Sequence, residues 1–337
     1  MTNHCVSPAD IRKMVDYLLV LQDGKRDWRA STCDDYLGIS DCLYNDTSAA
    51  AYVAELLLTL GVDHPNREQT IDFINARQTA EGYFKPLDPR CASRWYHAHS
   101  TWKSLRGLRA LGGKPKCDPR PFLREHSLGL GLDDPARSNP YAPDMLAGSY
   151  DLLGEPMPRQ VADHLVALYE ARVDPLTGWF VQSTPYPFCS LNPITFHAMR
   201  TYKYAGREMP NPDLLLEWFM RMQDRDGSWT GGGVHGTCNA AVVIRTLSDN
   251  SEPYRAVLRR AGAWILESCW NEDGGFNHMG DGKPSEVDAC YFHIATLVMA
   301  GMIPTPLTVA NRWIGVGHMW LNGVTEFANV AADQRPI

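Results

Sequence analysis

Gln223-Asp224-Arg225-Asp226-Gly227-Ser228-Trp229 is one copy of a phrase that recurs along the chain. A polar residue leads, a glycine follows and an aromatic residue closes. Other copies are Gln22-Asp23-Gly24 with Trp28, and Gln78-Thr79-Ala80-Glu81-Gly82-Tyr83-Phe84. Later come Asp174-Pro175-Leu176-Thr177-Gly178-Trp179-Phe180 and Asn271-Glu272-Asp273-Gly274-Gly275-Phe276. Glycine takes the left-handed conformation that stops a helix, and the aromatic ring covers the exposed turn. The phrase therefore reads as scaffold.

Working outward, weakly polar segments end at Gly61, Gly112, Gly154, Gly206, Ser248 and Gly301, at intervals of 51, 42, 52, 42 and 53 residues. A period near fifty suits two helices and a loop. The first helix of each pair is amphipathic: Ile11, Met14, Val15, Leu18 and Leu19 form one stripe, and Val257, Leu258, Ala261, Trp264 and Ile265 another. The second is apolar on more than one side, as in Ala49–Leu60 and Ile294–Ala300, and such a helix is buried on both faces. Period-two alternation is absent at any length. The expected fold is all-α, an (α/α)6 toroid of six inner and six outer helices over residues 1–301. The tail, 302–337, carries Trp313, His318, Trp320 and Phe327 and is expected to pack on the barrel.

The 337 residues include 32 Lys+Arg against 39 Asp+Glu, a net charge of −7, with no basic run, which argues against nucleic-acid binding. Nine cysteines without a Cys-x-x-Cys pair, and an N-terminus without a basic-then-apolar pattern, suggest reduced thiols and a cytoplasmic protein. The uncharged stretch Ala289–Asn311 holds His293, Pro304 and Pro306, and reads as part of a soluble helix rather than a membrane span.

The terminal glycines set a register for the inner-helix mouths. Thirteen residues upstream stand Ser48, His99, Tyr141, Pro193, His235 and Asp288. Fifteen upstream stand Asp46, His97, Asn139, Leu191, Gly233 and Glu286; eleven upstream stand Ala50, Thr101, Pro143, Thr195, Thr237 and Cys290. Titratable groups thus gather in the second, fifth and sixth repeats, as a cavity wall would need. Helix capping is the plainer reading of Asp46, Thr47 and Ser48. Trp95, Trp102, Phe196, Trp229 and Tyr291 lie near the same mouths. Rings of this kind bind apolar substrates and stabilise cations by about 0.5–2 kcal/mol each.

The glycine–aromatic phrase resembles the repeat of the terpenoid cyclases and of the protein prenyltransferase β subunits. The resemblance runs from Ile11 to Gly301 and is weakest over Pro119–Gly154. It implies a toroid with its active cavity at one end of the inner helices. Glu286-Val287-Asp288-Ala289-Cys290-Tyr291 resembles the Asp-x-Cys-Tyr with which the prenyltransferases bind zinc. Their later histidine ligand and their Arg-x-x-Lys-x-x-Asp diphosphate run have no counterpart here. A zinc site would need the rearranged set Asp288, Cys290, Cys238 and His235. Class II cyclases instead protonate an alkene with the middle aspartate of Asp-x-Asp-Asp-Thr-Ala. His97-Ala98-His99-Ser100-Thr101-Trp102 occupies that place, so either the acid has moved to Asp288 or the reaction needs no such acid; the reading taken here is Asp288. Glu286, Cys290 and Cys238 then tune it, and His97, His99 and His235 serve as base or substrate contacts. The expectation is metal-free cyclisation or rearrangement of a lipophilic isoprenoid or meroterpenoid. The alternatives are zinc-dependent prenyl transfer and a non-catalytic isoprenoid-binding protein.

Overall fold

The glycines that end the inner segments share one backbone state. Gly61, Gly112, Gly154, Gly206 and Gly301 have φ between 65° and 75°. An ordinary side chain resists this left-handed region, whereas glycine enters it freely. Where serine replaces glycine, Ser248 keeps φ at −90° and Asn250 takes the positive φ, 58°, two residues on.

The computed structural model describes residues 6–22, 46–86, 94–131, 141–173, 191–229 and 233–305. The outer helices are α1 (Pro8–Val20), α3 (Arg67–Asn75), α5 (Arg120–Leu128), α7 (Arg159–Glu170), α9 (Pro212–Arg221) and α11 (Glu252–Trp264). The inner helices are α2 (Asp46–Thr59), α4 (Arg94–Ala110), α6 (Ala142–Leu152), α8 (Leu191–Tyr204), α10 (Val234–Leu247) and α12 (Val287–Met299). One π-helical turn, Ile265–Cys269, prolongs α11. Each inner helix packs on the next, and α12 returns to α2, so the ring closes. No helix among the described residues is long and apolar enough to cross a membrane. The tail beyond residue 305 lies outside the described residues, as do Trp28 and the phrase at 174–180.

The recurring phrase works as a staple between repeats. Gln223 donates from Nε2 to the carbonyls of Gly227 and Val257, both at 2.9 Å, joining its own turn to α11. Gln78 does the same with Gly82 and Cys117, just ahead of α5. The glycine is required because the neighbour's backbone sits against it. A Cβ on Gly227, whose φ is 103°, would lie 2.4 Å from the Arg260 carbonyl oxygen. A Cβ on Gly274 would lie 2.3 Å from that of Lys13 in α1, so the last copy closes the outer ring onto the first helix.

The closing aromatic is fixed by the next inner helix. The Phe84 amide donates to Thr101 Oγ1 at 3.0 Å, and the Trp229 amide to Thr237 Oγ1 at 3.2 Å. Both threonines stand eleven residues before the terminal residue of their helix. That rung therefore faces the outer layer.

Candidate active site

The helical twist sorts the three mouth rungs. Residues two apart lie about 200° apart around a helix, and residues four apart nearly coincide. Within α4 the rungs at eleven and fifteen therefore look outward together, and the rung at thirteen looks inward; Gly233 and Glu286 are extended N-cap residues outside their helices, so the rule does not reach them. His97 confirms the geometry: its ring stacks on Tyr83 of the phrase with centroids 4.4 Å apart. Burial, with Lys85 and Arg94 nearby, lowers its pKa. His99 is buried on the inward rung of α4. The two histidines thus do not form a pair. The side chains of Asp46 and Trp95 fall outside the described set.

Cys290 is the sixth-repeat counterpart of Thr101 and Thr237. The Phe276 amide donates to its sulfur, as the amides of Phe84 and Trp229 do to the threonines. Burial pushes its thiol well above the ordinary cysteine range. Cys238 bonds to the Thr296 side chain, and burial pushes its pKa up to about 12. Both thiols thus take part in the helix seams, and neither belongs to the group of His235, His278 and Asp288. Trp229 is likewise wall: fully buried, it donates from Nε1 to the Phe219 carbonyl at 2.8 Å.

The mouth of α12 gathers a histidine–carboxylate cluster. Asp288, in the first turn, is 1% exposed. Its Oδ1 accepts from His278 Nε2 at 2.9 Å and from the Ala289 amide at 2.8 Å. Its Oδ2 lies 3.8 Å from Nε2 of His235, which is half-exposed at the start of α10. The buried Glu286 carboxylate stands 3.4 Å from the same His278 nitrogen. Burial opposes charge on His278, but Asp288 and Glu286 outweigh it and push the pKa up to about 10. At neutral pH His278 is therefore an imidazolium. One imidazolium between two buried carboxylates leaves a surplus negative charge, which a proton or a metal ion would balance.

The sequence reading missed His278 because it counted only helical positions. The residue sits in the loop between α11 and α12, and that loop is tightly built. Its carbonyl accepts from the Val234 amide at 3.0 Å, and the Glu286 amide donates to the Phe276 carbonyl at 2.9 Å. Asn277 Nδ2 donates to the Cys269 carbonyl at 3.1 Å, and its Oδ1 accepts from Gly280 at 2.7 Å.

Below the mouth, the interior is charged rather than uniformly greasy. Arg106 grips Glu55 through two nitrogens, and Arg200 donates to Asp144 at 3.0 Å; all four side chains are essentially inaccessible. Arg106 lies 4.4 Å from the Trp102 ring and 4.8 Å from that of Tyr291. Arg200 lies 5.1 Å from Phe196 and 5.6 Å from Trp102. Three rings expected to receive a substrate cation, Trp102, Phe196 and Tyr291, thus already face guanidinium groups. Gly148 makes room for this layer, since a Cβ there would meet Trp102 Nε1 at 3.0 Å. Glu55 was the available signal: a lone acid in the apolar run Ala49–Leu60 needs a buried partner.

No family model matches the chain, and no curated protein is similar to it. Solved structures are. A protein from Actinoplanes shares 18% identity at a TM-score of 0.59, covering 87% of this chain and 98% of its own. Protein geranylgeranyltransferase-I of Candida albicans, complexed with GGPP, shares 13% at 0.60, over 86% and 90%. A type II terpene cyclase from Scytonema, in complex with geranylgeranyl dihydroxybenzoate, shares 13% at 0.57, over 92% and 97%. The chain has the α/α-toroid fold of the terpenoid cyclases and protein prenyltransferase β subunits. Identities this low establish the fold and leave the chemistry to the site.

Proposed function

We propose that this chain is an isoprenoid-processing enzyme that begins an acid-initiated cyclisation or rearrangement at Asp288. The observation that carries the reading is the double donation onto Asp288 Oδ1. A carboxylic acid becomes stronger when its conjugate base is stabilised. Here a charged imidazole, a backbone amide and the positive end of α12 all favour the carboxylate. The acidic proton then belongs on Oδ2, the oxygen on the side of half-exposed His235. Its transfer to an alkene carbon leaves a carbocation on the substrate and the stabilised carboxylate behind. Two structural neighbours hold geranylgeranyl compounds, which supports a lipophilic prenyl substrate.

The test is incubation with geranyl, farnesyl and geranylgeranyl diphosphates and with geranylgeranyl dihydroxybenzoate, read by mass spectrometry. An isomeric product is expected from at least one. Asp288→Asn is expected to lower turnover at least about 1,000-fold, since the amide has no acidic proton to give. Retained activity in that variant removes Asp288 from the mechanism. Binding without product from any probe supports a non-catalytic isoprenoid-binding protein.

One observation favours a second reading. Ligand atoms of His235, His278 and Asp288 all lie within 4.8 Å of one another, a spacing that fits a metal ion. The residue types suit zinc, with Glu286 beside them, whereas Cys238 and Cys290 are not in the cluster. The positive end of α12 works against a cation at this place. Stoichiometric zinc in the purified chain, lost in Asp288→Asn, decides for zinc-dependent chemistry.

A further inference from the structure

Every polar group of Asn277 is engaged, and its bonds lead to the end of α11, to α12 and to the loop between them. Its amide and its Nδ2 both donate to the Cys269 carbonyl, at 2.9 and 3.1 Å. Nδ2 also donates to Asn271 Oδ1 at 3.0 Å, while Oδ1 accepts from the Gly280 amide at 2.7 Å. Its carbonyl accepts from His293 Nε2 of α12 at 3.0 Å. The residue is 1% exposed. A side-chain amide supplies two donors and an acceptor at once. An aspartate here would turn a carboxylate oxygen toward two acceptor oxygens.

Cys269 ends the π-helical turn Ile265–Cys269. Carbonyls at a helix end have no intrahelical donor left, and π turns recur at functional sites. This turn sets one such carbonyl where Asn277 takes up both its lone pairs. The next residue is His278, and it lies inside the turn that the bond from Gly280 to Asn277 Oδ1 closes. Gly280 has a φ of 67°, and a Cβ there would come to 3.0 Å from Ser268 Cβ, so this turn packs closely on the π turn. The His278 carbonyl is held by the Val234 amide at the start of α10. With its backbone fixed on both sides, the His278 ring meets Asp288 Oδ1 at 2.9 Å. A hydrogen bond of that length does not survive a shift of about 1 Å, so the anchoring of the loop decides whether it forms.

We infer that Asn277 is a positioning residue that aims His278 at Asp288; the catalytic consequence rests on the acid-initiated reading above. Its own polar groups are all engaged in the frame, so it acts through its neighbour. With the loop loosened, Asp288 Oδ1 keeps the Ala289 amide and loses the imidazole. The carboxylate is then less stabilised and the acid weaker.

The test is a double-mutant cycle of Asn277→Ala and His278→Gln with geranylgeranyl dihydroxybenzoate as the probe, alongside proton NMR at pH 7. In the wild type the His278 ring N–H bonded to Asp288 should give a downfield resonance, assigned by its loss in His278→Gln. Asn277→Ala should lose that resonance and lower kcat about 10–100-fold, with KM little changed. The double variant should be within about twofold of His278→Gln, since both changes remove the same bond. Should Asn277→Ala not fold, Asn271→Ala withdraws one acceptor of Nδ2 and should lower kcat about threefold with a weakened resonance. A resonance absent from the wild type or unmoved by the folded variant, or losses that multiply in the double variant, overturns the positioning role. A wild type that yields no isomeric product, while Asn277→Ala still abolishes the resonance, overturns the acid-initiated reading and leaves the aiming of His278 supported.

Discussion

His293 shows how one buried side chain sets a pH limit. It is inaccessible and donates from Nε2 to the Asn277 carbonyl at 3.0 Å. Burial pushes its pKa down to about 3. An unfolded histidine takes a proton near pH 6.5, but the native one refuses it until about 3. The stability contribution is therefore full above pH 6.5 and is lost as pH falls toward 3, at about 1.4 kcal/mol per pH unit. Glu55 acts in the opposite sense: burial outweighs Arg106 and raises its pKa to about 7, so it gains stability as pH falls from 7 to 4.5. Urea unfolding of the wild type and His293→Gln at pH 7, 6, 5 and 4 separates the two. The gap between the curves should change with the sign given for His293. At this scale the sequence marked Asp288, Glu286 and His235 from their register alone. It missed His278, which lies in a loop outside the helical register, and Asp144, because its bond to Arg200 joins helices 56 residues apart and leaves no local pattern.

At the scale of the element, the repeat phrase is a staple with three working parts. The glutamine bonds two turns, the glycine admits a neighbouring backbone, and the aromatic amide is received by the next inner helix. The glycine and aromatic spacing made the helix pairs readable, because a left-handed stop and a covered turn demand those residue types. The side-chain receiver was not readable. Threonine in the second and fifth repeats becomes cysteine in the sixth, where a likeness to a zinc motif suggested another role. If Cys290 is a receiver, Cys290→Thr should leave stability within about 1 kcal/mol of the wild type and turnover unchanged. Chemical denaturation and steady-state assay check this together. A loss of activity with stability intact would put the thiol back into the chemistry.

On the scale of the whole molecule, six inner helices pack one on the next into a closed ring. Within it the chain buries two arginines and their acids, packed against aromatic rings. Removing one member of a buried pair strands a charge, at a cost of about 3–5 kcal/mol. Arg106→Met should show that loss in chemical denaturation, and Glu55→Leu combined with Arg106→Met should recover much of it. The closed ring was legible from period and hydrophobicity, since both follow from burying helices on two faces. The charged floor was not, because register counting from the helix ends stopped at the mouth.

The account turns on a charged His278 backing Asp288. Nitrogen-15 NMR of the histidine side chains, assigned with His278→Gln, tests it directly. The result predicted is an imidazole still protonated on both nitrogens at pH 8, titrating near pH 10. A His278 ring that is neutral at pH 7 would contradict it, for Asp288 would then lack the partner that makes it a strong acid.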